Sequence, residues 1–73
     1  MEKEEKEILQ MFAANVKSHR EALGVSQEKL AEMANLHRTY IGSLERSEKV
    51  PSLMTIVKIS RALNVKVSQL IDI

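Results

Sequence analysis

The sequence predicts an all-α fold, and three observations carry that prediction. Apolar residues recur at three- and four-residue spacing and almost nowhere alternate, the pattern of helices buried along one face rather than of strands. Chain breakers are sparse: the 73 residues contain two glycines and one proline, Gly24, Gly42 and Pro51. Serines of N-cap type, Ser26, Ser52 and Ser68, stand just before helical runs. These marks divide the chain into five helices, over about residues 4–23, 27–34, 37–46, 53–63 and 69–71.

The first helix is predicted from the stripe Ile8, Phe12, Val16, His19 or Arg20, and Leu23, with Gly24 supplying the left-handed residue that ends it. The charged residues 1–7 have no apolar partner and are expected to fray. Ser26 caps the second helix, Asn35 tolerates the left-handed conformation of a tight turn, and Leu36 plugs that turn. The third helix buries Ile41, Leu44 and part of Tyr40. The segment "SEKVPS" is a loop, after which Ser52 caps a fourth helix with the core stripe Leu53, Ile56, Ile59 and Leu63. "NVKV" is a turn before the last short helix.

Size and composition restrict the function. One small domain, residues 1–73, has a limited core and often depends on a staple. There is no cysteine for a disulfide or a thiolate site, and the two histidines, His19 and His37, form no metal-ligand pattern. That leaves self-association as the staple. No run approaches the roughly 18 apolar residues of a membrane span, and "MEKEEKE" is not a signal peptide, so a cytoplasmic location is expected. No convergent polar cluster or room for a pocket points to an enzyme, a cofactor or a small-molecule effector. The net charge of +1 is small. Its distribution is uneven: residues 1–36 hold five Lys/Arg and seven Asp/Glu, and residues 37–73 hold six and three.

The segment "SQEKLAEMANLHRTYIGSLER", residues 26–46, places two short helices around a tight turn, which is the helix-turn-helix arrangement. In such a unit the second helix enters the major groove, so it needs an apolar inner face and short or forked polar groups outside. Ile41 and Leu44 form the inner face. Arg38 and Thr39 lie at the outer N-terminal end, with Ser43 one turn on and Gly42 leaving the backbone uncovered between them.

Three segments, "FAANVKSHREALGVSQEKLAEMANL", "YIGSLER" and "PSLMTIVKISRALNV", resemble the Cro/phage-repressor type of helix-turn-helix regulator, with a compact lambda-repressor-like domain. Within it, "LHRTYIGSLER" is most similar to the controller proteins of restriction–modification systems, small homodimers that regulate their own gene and the endonuclease gene. The resemblance implies that Arg38, Thr39 and Ser43 read bases. It implies that Gln27, Tyr40, Arg46 and Ser52 touch the DNA backbone, and that Arg20 and Glu45 form a structural ion pair. The chain departs from the family's pattern at Asn35 and Ser47, where glycine is usual, at Glu48, where a basic residue is common, and at His19, which replaces an apolar side chain.

Each of these residues also has a plainer reading. Arg38 is compatible with a solvated arginine, although its guanidinium also suits O6 and N7 of a guanine. Thr39 is either a poor helix former or a methyl contact to thymine. Gln27 needs no ligand, and His37 is either a phosphate contact or a helix-start residue. On the fourth helix, Met54 and Val57 lie off the core stripe. With Val67, Ile71 and Ile73 they make a patch suited to an isologous dimer interface. The resulting expectation is a dimeric, sequence-specific transcription regulator whose partners are double-stranded DNA and a second copy of itself. The rival is an antitoxin-like helical domain whose main partner is another protein.

Overall fold

The computed structural model of the chain describes residues 2–73. Four α-helices follow one another: α1 (Lys3–Leu23), α2 (Gln27–Met33), α3 (Tyr40–Glu45) and α4 (Leu53–Leu63). Where periodicity predicts a fifth α-helix at 69–71, the chain makes a single 3-10 turn over Val67–Gln69. The Gln69 side-chain carbonyl accepts the Lys66 N–H at 2.9 Å, so the turn is set from Lys66 and not from Ser68. No strand is present among the described residues.

Helix α1 begins at Lys3 and takes in residues 3–7; Met1 lies outside the described residues. Glu4 and Glu5 in that first turn complement the positive end of the helix dipole. The buried face is Leu9, Phe12, Ala13, Val16 and Arg20. Ile8 and His19 are only half-buried because each stands well to one side of that stripe. Leu23 continues the stripe but is 49% exposed, since it is the last residue of the helix and no element covers it. Gly24 then turns left-handed at φ 79° and returns its N–H to the Arg20 and Glu21 carbonyls, with Val25 N–H also reaching Arg20.

The same stop is made three more times without glycine. Asn35 (φ 56°), Ser47 (φ 60°) and Asn64 (φ 58°) are left-handed. After each, the next residue's N–H closes onto a carbonyl of the helix just ended: Leu36 to Ala31 at 2.8 Å, Glu48 to Ser43 at 2.9 Å and Val65 to Ser60 at 2.9 Å. Helix starts are equally local. Ser26 accepts the Lys29 N–H at 3.0 Å and Ser52 accepts the Thr55 N–H at 3.1 Å.

The core is one cluster built around Phe12, Val16, Leu30, Ile41, Leu44 and Ile59, closed below by Leu63 and Leu70. Leu53, predicted as a core residue, is 73% exposed. It lies in the first turn of α4, about 100° off the mean line of Ile59 and Leu63; two turns further on, Ser60 is buried and its hydroxyl donates to the Val57 carbonyl at 2.8 Å. Asn15 on α1 donates to the Leu70 carbonyl at 2.9 Å and ties the C-terminal segment to the first helix.

A second connection crosses the fold. Arg20 donates from Nε to Glu45 Oε2 at 2.7 Å and from Nη2 to Glu45 Oε1 at 3.1 Å, while its Nη1 donates to the Val25 carbonyl at 2.8 Å. This is the ion pair implied by the resemblance, and it joins α1 to the end of α3. Hydrogen bonding to Glu45 raises the Arg20 pKa against the opposing effect of burial. Removing one partner leaves the other buried and unpaired, which costs several kcal/mol. Glu45→Gln should therefore lower stability by about 3 kcal/mol, toward the low end for breaking a buried pair. Urea unfolding followed by circular dichroism checks it, and a loss within experimental error of zero would mean that the pair is replaceable.

Candidate nucleic-acid interface

Helix α3 starts three residues later than its periodicity implies, at Tyr40 in place of His37. The cause is local hydrogen bonding. The His37 carbonyl accepts the Tyr40 N–H at 2.9 Å, which makes a tight turn over 37–40. His37 Nδ1 accepts the Thr39 N–H at 3.2 Å and lies 2.9 Å from the Thr39 hydroxyl. His37 is therefore a turn residue here. Short polar side chains that bond the backbone in this way compete with helix formation.

Arg38 and Thr39 consequently stand in the turn that leads into α3, both exposed. Arg38 has no hydrogen-bond or ionic partner among the described residues. Ser43, partly exposed, points its hydroxyl back to the Thr39 carbonyl at 3.3 Å. Tyr40 is half-buried and packs against the core cluster. The turn and the outer face of α3 therefore offer one free guanidinium and two hydroxyls, on a helix held from behind by Ile41 and Leu44.

Gln27, the first residue of α2, is turned inward more than the phosphate role implies. Its Nε2 donates to Glu45 Oε1 at 2.9 Å, which commits one of its two amide protons. Its Oε1 lies against Gly42: a Cβ placed on Gly42 would meet Gln27 Oε1 and Arg46 Nη1, each at 3.1 Å. Gly42 is thus buried under two polar side chains and does not leave an open stretch of backbone, as the sequence implies. The packing of α2 on α3 leaves room for a Cβ at this point only if the ends of those two side chains give by a few tenths of an ångström. It brings Gln27 and Arg46 together across 19 positions of sequence, which no local pattern reveals.

The remaining backbone-contact candidates are exposed but already engaged. Arg46 donates to Glu48 through Nε at 3.0 Å and Nη2 at 3.1 Å. Ser52 uses its hydroxyl twice, to cap α4 and to donate to Thr55 Oγ1 at 3.0 Å. Of the apolar patch, Met54, Val67 and Ile73 are exposed, whereas Val57 and Ile71 are half-buried, Ile71 packing against the core. Val50 and Leu53, absent from the predicted patch, are exposed beside Met54. The angular offset of Leu53 from the core stripe was the signal available for one of them.

A helix-turn-helix family model matches residues 16–70, most of the chain. The control protein C.SmaI of Serratia marcescens is 46% identical over 65 residues, which cover 89% of this chain and 77% of that protein. The control protein C.BamHI of Bacillus amyloliquefaciens is 52% identical over 48 residues, covering 66% of this chain and 59% of that protein. Among solved structures, the restriction-modification controller protein C.AhdI of Aeromonas hydrophila superposes with a TM-score of 0.82 at 37% identity, covering 85% of this chain and 94% of that one. The chain belongs to the Cro/C1-type helix-turn-helix family of transcription regulators. It is similar, in sequence and in fold, to the control proteins of restriction–modification systems.

The cover over Gly42 has a measurable consequence. Alanine there gains helix propensity worth about 1 kcal/mol, but its Cβ must displace the ends of Gln27 and Arg46. Gly42→Ala should therefore leave the melting temperature unchanged or raised while weakening DNA binding severalfold. Thermal melts and fluorescence anisotropy on the same preparation check this, and unaltered binding would show that the two side chains reseat without loss.

Proposed function

We propose that this protein is a controller of the restriction–modification type that binds a pseudo-palindromic operator as a homodimer, one turn-and-α3 unit in each half-site. The observation that carries the reading is the free guanidinium of Arg38, exposed at the leading end of a short helix whose other face is locked into the core. Arginine's forked donors fit O6 and N7 of guanine, and a phosphate-only role needs no such fixed mounting. Thr39 and Ser43 supply further short contacts on the same element. Arg46, Ser52, Tyr40 and the second amide proton of Gln27 supply the grip on the sugar-phosphate backbone.

A helix of six residues reads only a few base pairs. Two copies related by a twofold axis double the contacts and fix the spacing of half-sites at about 34–36 Å. The surface for that pairing is the exposed apolar group Val50, Leu53, Met54, Val67 and Ile73. Beside it, Ile8, Val50, Pro51, Ile56 and Ile71 line a shallow groove of about 240 Å³. An apolar surface of this kind on so small a domain is what an isologous interface covers. No helix among the described residues is long and apolar enough to cross a membrane, so the patch is not part of a span. The rival reading, a helical domain devoted to protein partners, has no observation in its favour beyond that same patch.

Selection of bound duplexes from random DNA gives the operator, and two variants then test the reading. Arg38→Ala should cost about 1–3 kcal/mol per half-site on the selected sequence and relax the preference at one base pair. Equal losses on selected and random duplexes would assign Arg38 to phosphate alone. Met54→Glu should leave the helical circular dichroism spectrum intact but shift the protein to a monomer in sedimentation velocity. A dimer of wild-type affinity would place the interface elsewhere.

A further inference from the structure

Arg46 is the C-cap of α3, and its side chain runs back over Gly42 beside Gln27. The edge of its guanidinium formed by Nε and Nη2 is fully taken by Glu48, with one oxygen on each nitrogen at 3.0 and 3.1 Å. That two-nitrogen fork is the edge that binds two oxygens of a phosphate. Glu48 is not there by chance of a loose loop. Ser47 is left-handed, its N–H closes on the Leu44 carbonyl at 3.0 Å, and the Glu48 N–H closes on the Ser43 carbonyl at 2.9 Å. The backbone thus fixes Glu48 on the same ledge as the arginine it faces. Both side chains remain open to water, at 60% and 55% exposure, so the pair is screened and exchangeable.

We propose that Glu48 is an intramolecular stand-in for a DNA phosphate: it occupies Arg46 in the free protein, must be displaced when the module seats on DNA, and so holds down sequence-independent affinity. The proposal rests on the DNA-binding reading above. The pairing is reflected in both partners: the hydrogen bond to Glu48 raises the Arg46 pKa, and the hydrogen bond to Arg46 lowers that of Glu48, with Lys49 adding a smaller pull in the same direction. Non-specific affinity scales with the number of phosphates neutralised, so masking one arginine per protomer acts on that term directly.

The test is a double-mutant cycle on a random-sequence duplex about three helical turns long, at low salt. It uses the wild-type chain, Glu48→Gln, Glu48→Ala, Arg46→Ala and the two double variants. Both positions are exposed, and circular dichroism confirms that each variant is folded. Freeing Arg46 by either Glu48 substitution should tighten binding about two- to fivefold, the size of an exposed pair. It should also steepen the dependence of log K on log salt by up to about one unit per protomer. In the Arg46→Ala background both changes should vanish. An equal gain in that background would mean that Glu48 merely repels DNA, and no gain with Arg46 present would mean that the pair does not mask it. Binding by the wild-type chain with either of these results overturns the masking alone. No binding by any variant overturns the DNA reading and the masking with it.

Discussion

One carboxylate holds the candidate interface in place. Glu45 receives three hydrogen bonds from two other elements: Arg20 Nε and Nη2 from α1 and Gln27 Nε2 from the start of α2. Arg20 spends its remaining terminal nitrogen on the Val25 carbonyl, in the turn between those two helices. Helix α3, at six residues, is far below the length at which a helix persists by itself in water. Its geometry is set by tertiary contacts, apolar through Ile41 and Leu44 and polar through Glu45. A hydrophobic contact tolerates sliding and rotation. A carboxylate with three directed donors does not, so Glu45 fixes the rotation of α3 about its own axis and hence the direction in which Arg38, Thr39 and Ser43 face. No buried side-chain nitrogen or oxygen is left without a partner among the described residues, so this polar junction is complete. Buried pairs of this kind add little net stability over an apolar replacement, and their value lies in specifying one arrangement.

The loops are built for the same end. The chain reverses at Gly24, Asn35, Ser47 and Asn64, each left-handed, each returning a backbone N–H to the helix it has just left. Three of these positions carry side chains that accept this conformation at some cost in backbone energy. The turns are short and internally bonded, so α2 cannot drift from α3, and Gln27 stays over Gly42. The C-terminal segment is held in a similar manner by Asn15 on the Leu70 carbonyl. What remains outward is a polar edge around the turn before α3 and an apolar face around α4.

The legible part of this structure was the local part. Ser26 and Ser52 announced helix starts because an N-cap bonds within three residues, and Asn35 announced a turn because its own backbone preference suffices. The inner residues of α3 followed from their spacing, and the Arg20–Glu45 pair from the family pattern. The illegible part depends on groups distant in sequence or on competition between hydrogen bonds. Helical periodicity continues through His37, Arg38 and Thr39, and nothing in spacing shows that the His37 ring will claim Thr39 and delay the helix. Gly42 looked bare because the residues that cover it come from the start of α2 and the end of α3. Glu48 shows in the sequence only as a departure from the family pattern, because its bond to Arg46 requires the left-handed turn at Ser47. Leu53 fits the core stripe by count, but its place in the first turn of α4 leaves it outside.

The Arg20–Glu45–Gln27 junction orients α3 and the turn before it, and contributes little to net stability. Replacing Arg20 and Glu45 together by methionine removes the junction while filling its volume, and so separates the two roles. Urea unfolding and binding to the duplex selected by the wild-type chain should be measured on that double variant. The account predicts unfolding free energy within about 1 kcal/mol of wild type, together with operator binding weakened at least tenfold. Wild-type binding by the stably folded double variant would contradict it, and would mean that apolar packing alone orients α3.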